Sequence, residues 1–263
     1  PGPALFIGVD PTTLTPAPKV GDKIDLTVTE MATVYDLRYA KAVSNVTTTT
    51  PATDPIPGLI QDVSAATDLV SALDSYESEL ISGTFNVKDD FTTAGGGFLA
   101  ATSETTGITG DTKLKFRVPE TLQKKLGLVN GCVVTLKTGT MWRFTTTAQA
   151  NAMVEADFTY TCPAAKVVSA IASDATTVRV TFDRPIKTVN ANGSEFTFDN
   201  SLTASAATLA ADGSYVDVTT GSQTSGTNYT VTVANTVLDV DGTAVDQTAN
   251  TATFAGFTPP PPV

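Results

Sequence analysis

The stretch LKFRVPETLQKKLGLVNGCVVTL, residues 114–136, decides the fold of the first half of this chain. Its first five residues alternate apolar and charged side chains, a pattern typical of a β-strand with one buried face. A short helix is predicted over residues 120–126, because Pro119 is favoured in the first turn of a helix and Gly127 just after its end. The pair Asn130-Gly131 then predicts a tight turn into another strand. The stretch therefore predicts a strand, a helix and a strand in succession.

Further strand patterns lie on both sides of this stretch. Before it, Leu80–Val87 and Phe98–Ala101 have the length and composition of short strands. After it, Met141–Thr145 and Ala152–Phe158 complete the set. The resulting order of strand, strand, strand, helix, strand, strand is that of an OB-fold barrel, in which the helix lies between the third and fourth strands.

The residues that follow the predicted helix also resemble a known family. Residues 131–140, then Trp142-Arg143-Phe144 and Gln149, are similar to the fourth and fifth strands of OB-fold modules in exported bacterial proteins. Residues 73–81 resemble the helix that leads into a strand of the same modules. The resemblance covers about residues 20–160. The chain departs from the family by a long insert before residue 80, and it lacks the nuclease motif that accompanies some of these modules.

The residues before residue 80 are less regular. Lys23–Thr29 alternates as a strand, and a second run from Ala32 to Tyr39 extends it. Between residues 60 and 80, apolar residues recur at a spacing of three to four, which predicts one or two short helices. These apolar residues are Val63, Leu69, Val70, Leu73, Tyr76 and Leu80.

The second half of the chain has a more regular β pattern. Seven short strands with frequent turns predict a β-sandwich over residues 164–257. Val178, Val180 and Phe182 share one face of a strand, and Tyr229–Val233 alternates in the same way.

Two of its segments resemble a family. Val178–Ile186, and Tyr229–Val233 followed by Val237–Asp246, are similar to the bacterial immunoglobulin-like domains of S-layer and other surface proteins. The resemblance implies a spacer or display module that is repeated in tandem, with no catalytic residues. The predicted fold is all-β with one or two short helices. An OB-like β-barrel with a helical insert near residues 60–80 occupies residues 1–163, an immunoglobulin-like β-sandwich occupies 164–257, and a Pro-rich tail or linker occupies 258–263.

Composition excludes several classes of function. The chain has no histidine, so it holds no Ser-His-Asp triad and no His-ligated metal centre. Its formal net charge of −11 argues against nucleic acid as a partner, because affinity for phosphate comes from clustered Lys and Arg. No apolar run approaches the roughly 18–20 residues that span a bilayer. These features predict a protein that is not an enzyme and has no membrane-spanning segment.

The two cysteines, Cys132 and Cys162, bear on the compartment. A cysteine pair in a Thr-rich, acidic, β-rich chain is typical of an exported protein with one disulfide bond. The alternative is two buried free thiols. The disulfide interpretation predicts an extracellular or cell-surface location.

Two clusters combine basic and aromatic side chains and are candidates for ligand binding. An OB barrel usually binds ligands on one face and with the neighbouring loops, and binding of single-stranded nucleic acid would require exposed aromatic residues in a basic groove. The same residue types are also ordinary barrel surface or core. The first cluster contains Tyr35, Arg38, Tyr39 and Lys41, and the second contains Trp142 and Arg143.

Acidic residues around a predicted turn are candidates for calcium binding. Asp239, Asp241 and Asp246 surround Gly242, and Ca²⁺ takes six to eight oxygen ligands. Asp and Gly are equally typical of a plain β-turn, and the EF-hand pattern is incomplete. The pair Asp89-Asp90 has the same two interpretations. No other cofactor is predicted.

Two further patterns do not form a catalytic motif. Glu77 and Glu79 lie two residues apart and are predicted to face different directions, which argues against a paired-carboxylate site. The run Gly95–Gly97 lacks the Lys-Ser/Thr of a phosphate-binding loop and predicts a hairpin turn.

Three functional hypotheses remain. The first is a non-enzymatic exported protein for binding, adhesion or display at a cell surface, with protein or glycan partners. The second is a self-assembling structural subunit of a surface layer, filament or virion, whose partners are copies of itself. In that hypothesis the apolar segment Ala4–Val9 adds as a strand to a neighbouring subunit, and its alternative is an intramolecular edge strand. The third is a pair of accessory domains of a secreted hydrolase.

Overall fold

The computed structural model describes residues 4–259, and they form two compact units. The first unit comprises the residues up to Glu120 together with Asn130–Thr161. The second comprises Thr121–Val129 together with the residues from Cys162 onward. The prediction of an all-β fold with short helices is confirmed. The predicted tail falls mainly outside the described residues.

The first unit is built almost entirely from strands. Their bounds are β1 Phe6–Ile7, β2 Lys23–Val34, β3 Leu37–Thr49, β4 Gln61–Asp62, β5 Leu80–Val87, β6 Thr92–Thr93, β7 Phe98–Glu104, β8 Leu114–Pro119, β9 Val133–Phe144, β10 Thr147–Asn151 and β11 Phe158–Thr161. Helix α1, Ile56–Leu59, belongs to this unit, whereas helix α2, Glu120–Leu126, belongs to the second unit except for its first residue. The 3-10 turns of the first unit lie at Pro11–Thr13, Leu73–Ser75 and Glu155–Asp157. Within the described chain, no helix has the length and apolar character needed to cross a membrane.

Five strands of the first unit close a small barrel. The order around it is β5, β7, β8, β10 and β9, and β9 pairs back with β5 to complete the ring. β8 and β10 run parallel, whereas the other neighbours run antiparallel. The buried ring of Phe116 lies 6.2 Å from that of Phe85 and 5.8 Å from that of Phe158. Along the chain, α2 lies between the third and fourth barrel strands, as the order of elements predicted.

The residues before the barrel differ from the prediction. Lys23–Val34 and Leu37–Thr49 form a long antiparallel hairpin, and β1 adds to it in parallel to make a separate three-stranded sheet. The predicted strand over residues 32–39 is broken by a two-residue turn at Tyr35-Asp36, where φ is 49° and 65°. Turns of this kind require positive φ at both positions and match the twist of the flanking strands. The barrel itself therefore begins at Leu80.

The predicted helical insert near residues 60–80 contains less helix than expected. Its only helical element in the described chain is the 3-10 turn Leu73–Ser75, preceded by α1 at Ile56–Leu59. Val63, Leu69 and Leu73 are nevertheless buried. Their spacing therefore reflects burial of an irregular segment rather than one face of a helix. The Gly95–Gly97 run forms the predicted turn, here between β6 and β7.

The second unit contains a β-sandwich and a small additional sheet. Its strands are β12 Val167–Asp174, β13 Thr177–Phe182, β14 Ile186–Thr188, β15 Phe196–Phe198, β16 Ala204–Leu209, β17 Tyr215–Thr220, β18 Asn228–Val233, β19 Leu238–Asp239 and β20 Thr251–Ala255. One sheet has the order β12, β13, β17, β16, and the facing sheet has the order β15, β18, β20. The strands β14 and β19 pair separately.

The core of the sandwich comes from alternate residues of its strands. Val178, Val180 and Phe182 on β13 are buried, and so are Val231 and Val233 on β18. Because successive side chains of a strand point to opposite faces, period-two alternation places these residues in one layer. The inward faces predicted for both strands are confirmed.

Residues 121–129 belong to the second unit, although they lie between two barrel strands in sequence. Gly127 ends α2 with φ at 59°, and a Cβ there would lie 2.5 Å from Cδ of Pro185. The close approach and the positive φ both require glycine. Leu128 donates its backbone N–H to the carbonyl of Gln123 at 3.1 Å, which completes the cap.

A buried arginine holds several segments of the second unit together. The side chain of Arg184 is fully buried, and its Nε donates to the carbonyl of Gly127 at 2.9 Å. Its Nη1 donates to the carbonyl of Pro163 at 2.8 Å and to Oδ2 of Asp239 at 2.6 Å. Its Nη2 donates to Asp241 at 2.5 Å. Four acceptors therefore satisfy a charge that would otherwise be costly to bury.

Both cysteines of the chain are disulfide-bonded, as predicted. Strand β11 pairs with β9 so that Thr161 lies opposite Val133. In sequence, Cys162 directly follows Thr161, and Cys132 directly precedes Val133.

Replacing the buried arginine tests its role. We expect Arg184→Met to lower the free energy of unfolding of the second unit by about 3–5 kcal/mol, because Asp239 would keep a buried charge without its partner. Urea denaturation followed by the NMR methyl signals of Val178 and Val180 measures this change.

The matched control is Arg179→Met. Arg179 forms a two-pronged ion pair with Asp217, but both side chains are partly exposed to solvent. Exposed ion pairs contribute little to stability, so the free energy of unfolding should fall far less in this variant than in Arg184→Met. Equal losses in the two variants would contradict the assigned role of Arg184.

Candidate binding surface

The turn of the β2–β3 hairpin meets the turn of the β9–β10 hairpin. The ring of Tyr35 lies 4.7 Å from that of Phe144. The backbone N–H of Thr145 donates to the carbonyl of Tyr35 at 2.7 Å. This contact holds Tyr35 in its positive-φ conformation and leaves both aromatic side chains exposed.

A second group of aromatic side chains lies next to the first. Phe6 on β1 packs edge-on against Trp142 with a centroid distance of 5.8 Å, and it lies 6.1 Å from Tyr39. Tyr39 is the register partner of Phe6 across the parallel β1–β3 pair. Trp142 and Phe144 are two residues apart on β9, so the two groups are continuous. We call Tyr35, Phe144, Phe6, Tyr39 and Trp142 the barrel aromatic surface.

Arg117 lies on the outer face of the barrel, close to Trp142. Its guanidinium carbon lies 3.6 Å from the ring centroid of Phe98 and 5.5 Å from that of Trp142. Its Nη1 donates to Oδ1 of Asn151 at 3.1 Å, and its buried Nε has no hydrogen-bond partner among the described residues. Burial lowers the pKa of the Arg117 guanidinium. Contact with aromatic faces compensates in part for the lost hydration of the cation.

The two arginines predicted as ligand-binding residues bind carboxylates of the same unit. Arg143 donates to Asp74 and, at 2.7 Å, to Oε2 of Glu77, which is buried. Arg38 lies 3.7 Å from the other oxygen of Glu77. Burial alone would lower the pKa of Arg143, but the hydrogen bonds and charges of Asp74 and Glu77 raise it overall. These contacts hold the guanidinium group of Arg143 against internal partners, whereas the side chain of Arg38 remains largely exposed.

The structure brings together residues that the sequence placed in separate clusters. Tyr35, Tyr39 and Trp142 lie in one surface, with Arg38 and Arg143 anchored beside it. A further predicted member, Lys41, pairs instead with Glu30 at 2.6 Å.

Three members of the site were missed. Phe6 and Phe144 join it through contacts between distant segments, and Arg117 joins it through Phe98 and Trp142. The alternation of residues 114–118 placed Arg117 on the opposite side of its strand from Phe116, and that was the only available signal for it.

The acidic residues predicted as calcium ligands have other partners. Asp239 and Asp241 bind Arg184, and Asp239 also accepts backbone N–H groups from Asp241 and Thr243. Asp246 caps a separate turn by accepting from Thr248. The three carboxylates therefore do not converge, because a guanidinium occupies the place between the first two.

In the other acidic candidate, the pair Asp89-Asp90, the first carboxylate also has partners within the protein. Asp89 accepts two hydrogen bonds at 2.5 Å from the backbone N–H and the hydroxyl of Thr102. Across residues 4–259, no three Cys, Asp or Glu side chains are grouped closely enough to hold a metal ion.

Glu77 and Glu79 have different partners, in line with the predicted difference in direction. Glu77 binds Arg143, whereas Oε1 of Glu79 accepts the backbone N–H of Ala4 at 2.9 Å. Both carboxylates are buried. They serve to hold neighbouring segments on the barrel.

Comparisons with known proteins yield partial structural similarity. No protein-family model matches the chain, and no curated protein matches it. The S-layer protein rSbsC(31-844) is 24% identical over 38% of this chain and 14% of that chain, with a TM-score of 0.34. The N-terminal part of the bacterial S-layer protein SbsC is 24% identical over 38% of this chain and 25% of that chain, with a TM-score of 0.35. The matched region spans a quarter or less of these S-layer chains.

The ion pair between Arg143 and Asp74, beside the barrel aromatic surface, changes the pKa of the Asp74 carboxyl group. The hydrogen bond and charge of Arg143 lower the pKa of Asp74 below its ordinary value of 3.8. A carboxyl group whose pKa is lower in the folded state stabilises the fold above its unfolded-state pKa, and this contribution is lost as the pH falls through the folded-state value. We expect Arg143→Gln to return the Asp74 pKa toward 3.8 and to remove this acid-dependent loss, which an NMR titration of the side-chain carboxyl carbon measures.

Asp212 provides the control. Its pKa is lowered by Ser214 in the second unit, so it should titrate identically in both proteins. An unchanged Asp74 titration in the variant would show that Arg143 is not its partner in solution.

Proposed function

We propose that this chain is a non-catalytic protein of the cell surface or extracellular space. In this proposal the first unit makes contact with a protein or glycan through the barrel aromatic surface. The second unit serves as a spacer that displays the first. Adhesion and display are the functions that such an arrangement would serve.

The strand orders support an assignment of each unit to a module type. In the first, five strands close a barrel, and the chain forms a helix between the third and fourth of them in sequence, which is the order of an OB-type module. In the second, the sheets join strands one, two, five and four, and strands three, six and seven, if the separate β14–β19 pair is left out. This is the order of a constant-type immunoglobulin sandwich.

The observation that carries the proposal is the exposure of the barrel aromatic surface. Tyr35 is 58% exposed, Phe144 42% and Phe6 39%, although these rings contact one another or Trp142. Contiguous exposed aromatic groups mark interaction sites, because they bury a large area on contact at little cost in side-chain entropy.

Charge favours a protein or glycan over nucleic acid as the partner. The arginines beside the surface bind Glu77 and Asp74, and the whole chain carries a formal charge of −11. Phosphate backbones require clustered basic groups. The disulfide bond supports an oxidising compartment, since such bonds persist mainly outside the cytosol.

Removing the exposed rings tests the proposal. The wild-type chain is applied to a glycan array and to purified bacterial peptidoglycan, and its binding is compared with that of the variant Tyr35→Ser with Phe144→Ser. We expect the variant to bind about tenfold or more weakly, because exposed aromatic anchors dominate such contacts.

The control changes two exposed apolar residues of the second unit, Val168→Ser with Ile171→Ser. This variant should bind like the wild type. Equal binding by all three proteins would refute the assigned surface, and release of reducing sugar from either probe would refute the non-catalytic assignment.

A further inference from the structure

The segment Ala4–Val9 is attached to the first unit by a small number of specific contacts. Phe6 and Ile7 form β1, a two-residue strand parallel to β3 at Tyr39 and Ala40. The backbone N–H of Gly8 donates to the carbonyl of Ala40 at 2.9 Å. These few backbone hydrogen bonds at a sheet edge form a cooperative unit that can open without unfolding the barrel.

The site that receives this segment is shaped for it. The buried carboxylate of Glu79 accepts the backbone N–H of Ala4 at 2.9 Å. A Cβ on residue 8 would lie 2.6 Å from Cδ2 of Tyr39, so the close approach there requires glycine. Phe6 packs against Trp142. We call this site the β1 socket, formed by Tyr39, Ala40, Glu79 and Trp142.

Without the segment the β1 socket is incomplete. Glu79 would lose the hydrogen bond to its buried carboxylate, and Ala40 would lose the neighbour that pairs with it. Return of this segment, or of an equivalent one, restores both contacts and excludes water from Glu79 and Ala40 again.

The linker that follows the segment gives it reach. Residues 10–22 are largely exposed and contain Pro11, Pro16 and Pro18. The backbone hydrogen bonds of the linker are local, such as Lys19 N–H to Asp22 at 2.9 Å. A proline-containing linker of this length spans about 40 Å when extended. At its end, Asp22 also accepts a hydrogen bond from the hydroxyl of Thr50 at 2.7 Å, just after β3 and outside the barrel strands. The path of the linker before Asp22 can therefore change without disturbing the barrel.

We infer that the segment Ala4–Val9 of one copy of this chain also occupies the β1 socket of a second copy. The segment makes the same contacts in its own socket and in the socket of a second copy, so only the path of the linker differs. A short flexible linker gives the segment an effective concentration on the order of mM at its own socket. Exchange between copies therefore becomes significant when the local concentration of the protein approaches that value. This inference does not rest on the proposed glycan or protein ligand, although Phe6, Tyr39 and Trp142 belong to both surfaces.

Two single-cysteine variants of the full chain test the exchange. Ile7→Cys and Ala40→Cys are chosen because these residues are register partners across β1 and β3, within disulfide range. Ala40 is fully buried while β1 is in place, so a cysteine on another copy reaches it only after the segment has left. The two variants are mixed at on the order of 1 mM under mild oxidation, and we expect a disulfide-linked heterodimer on a non-reducing gel.

Two controls make the result decisive. Mixing Ile171→Cys, which is exposed on the second unit, with Ala40→Cys measures the background and should yield no more than a trace of heterodimer. The double variant Ile7→Cys with Ala40→Cys should close a bond within one chain, which establishes the register. If the double variant closes but the mixture does not exceed the background, exchange does not occur. If the double variant fails to close, the β1 socket itself is wrong.

Discussion

Strand β9 pairs with three neighbouring strands along its twelve residues. Its first part, from Val133 to Leu136, lies between β5 and β11, and its pairing with β5 closes the barrel. Its last part pairs with β10 and carries Trp142 and Phe144. The backbone hydrogen bonds that close the barrel therefore also set the position of the exposed rings. A shift of one residue in the register of β9 against its neighbours would turn Trp142 to the other side of the sheet, away from Phe6.

Much of the fold could be predicted from local patterns. The strands of the sandwich were found because polar and apolar residues alternate strictly, as in Thr177–Phe182, and turn residues separate them. Helix α2 was found from Pro119 and Gly127. The prediction from local patterns was wrong where the spacing of buried residues does not match the backbone conformation, and where a turn has no typical turn residue. The segment near residue 70 buries residues at helical spacing without forming a helix, and the hairpin turn at Tyr35-Asp36 carries no glycine to mark it.

The candidate site was predictable only in part, because its members meet across distant segments. Tyr35, Tyr39 and Trp142 could be singled out by residue type, but nothing local shows that the first hairpin reaches the last strands of the barrel. The acidic turn near residue 240 is a case in which the sequence left two interpretations open. Its composition fits either a metal site or a turn, and the deciding partner, Arg184, lies more than fifty residues earlier. An ion pair between distant segments cannot be predicted from the spacing of residues within one segment.

The inclusion of residues 121–129 in the second unit has an evolutionary consequence. Arg184 takes one of its acceptors from Gly127, so a gene fragment that begins at residue 162 would encode a sandwich with a missing part. A domain that folds on its own is usually encoded by one contiguous stretch of sequence with its boundaries in exposed linkers. This sandwich lacks such a boundary, and it would be inherited only together with the barrel sequence into which its first piece is inserted.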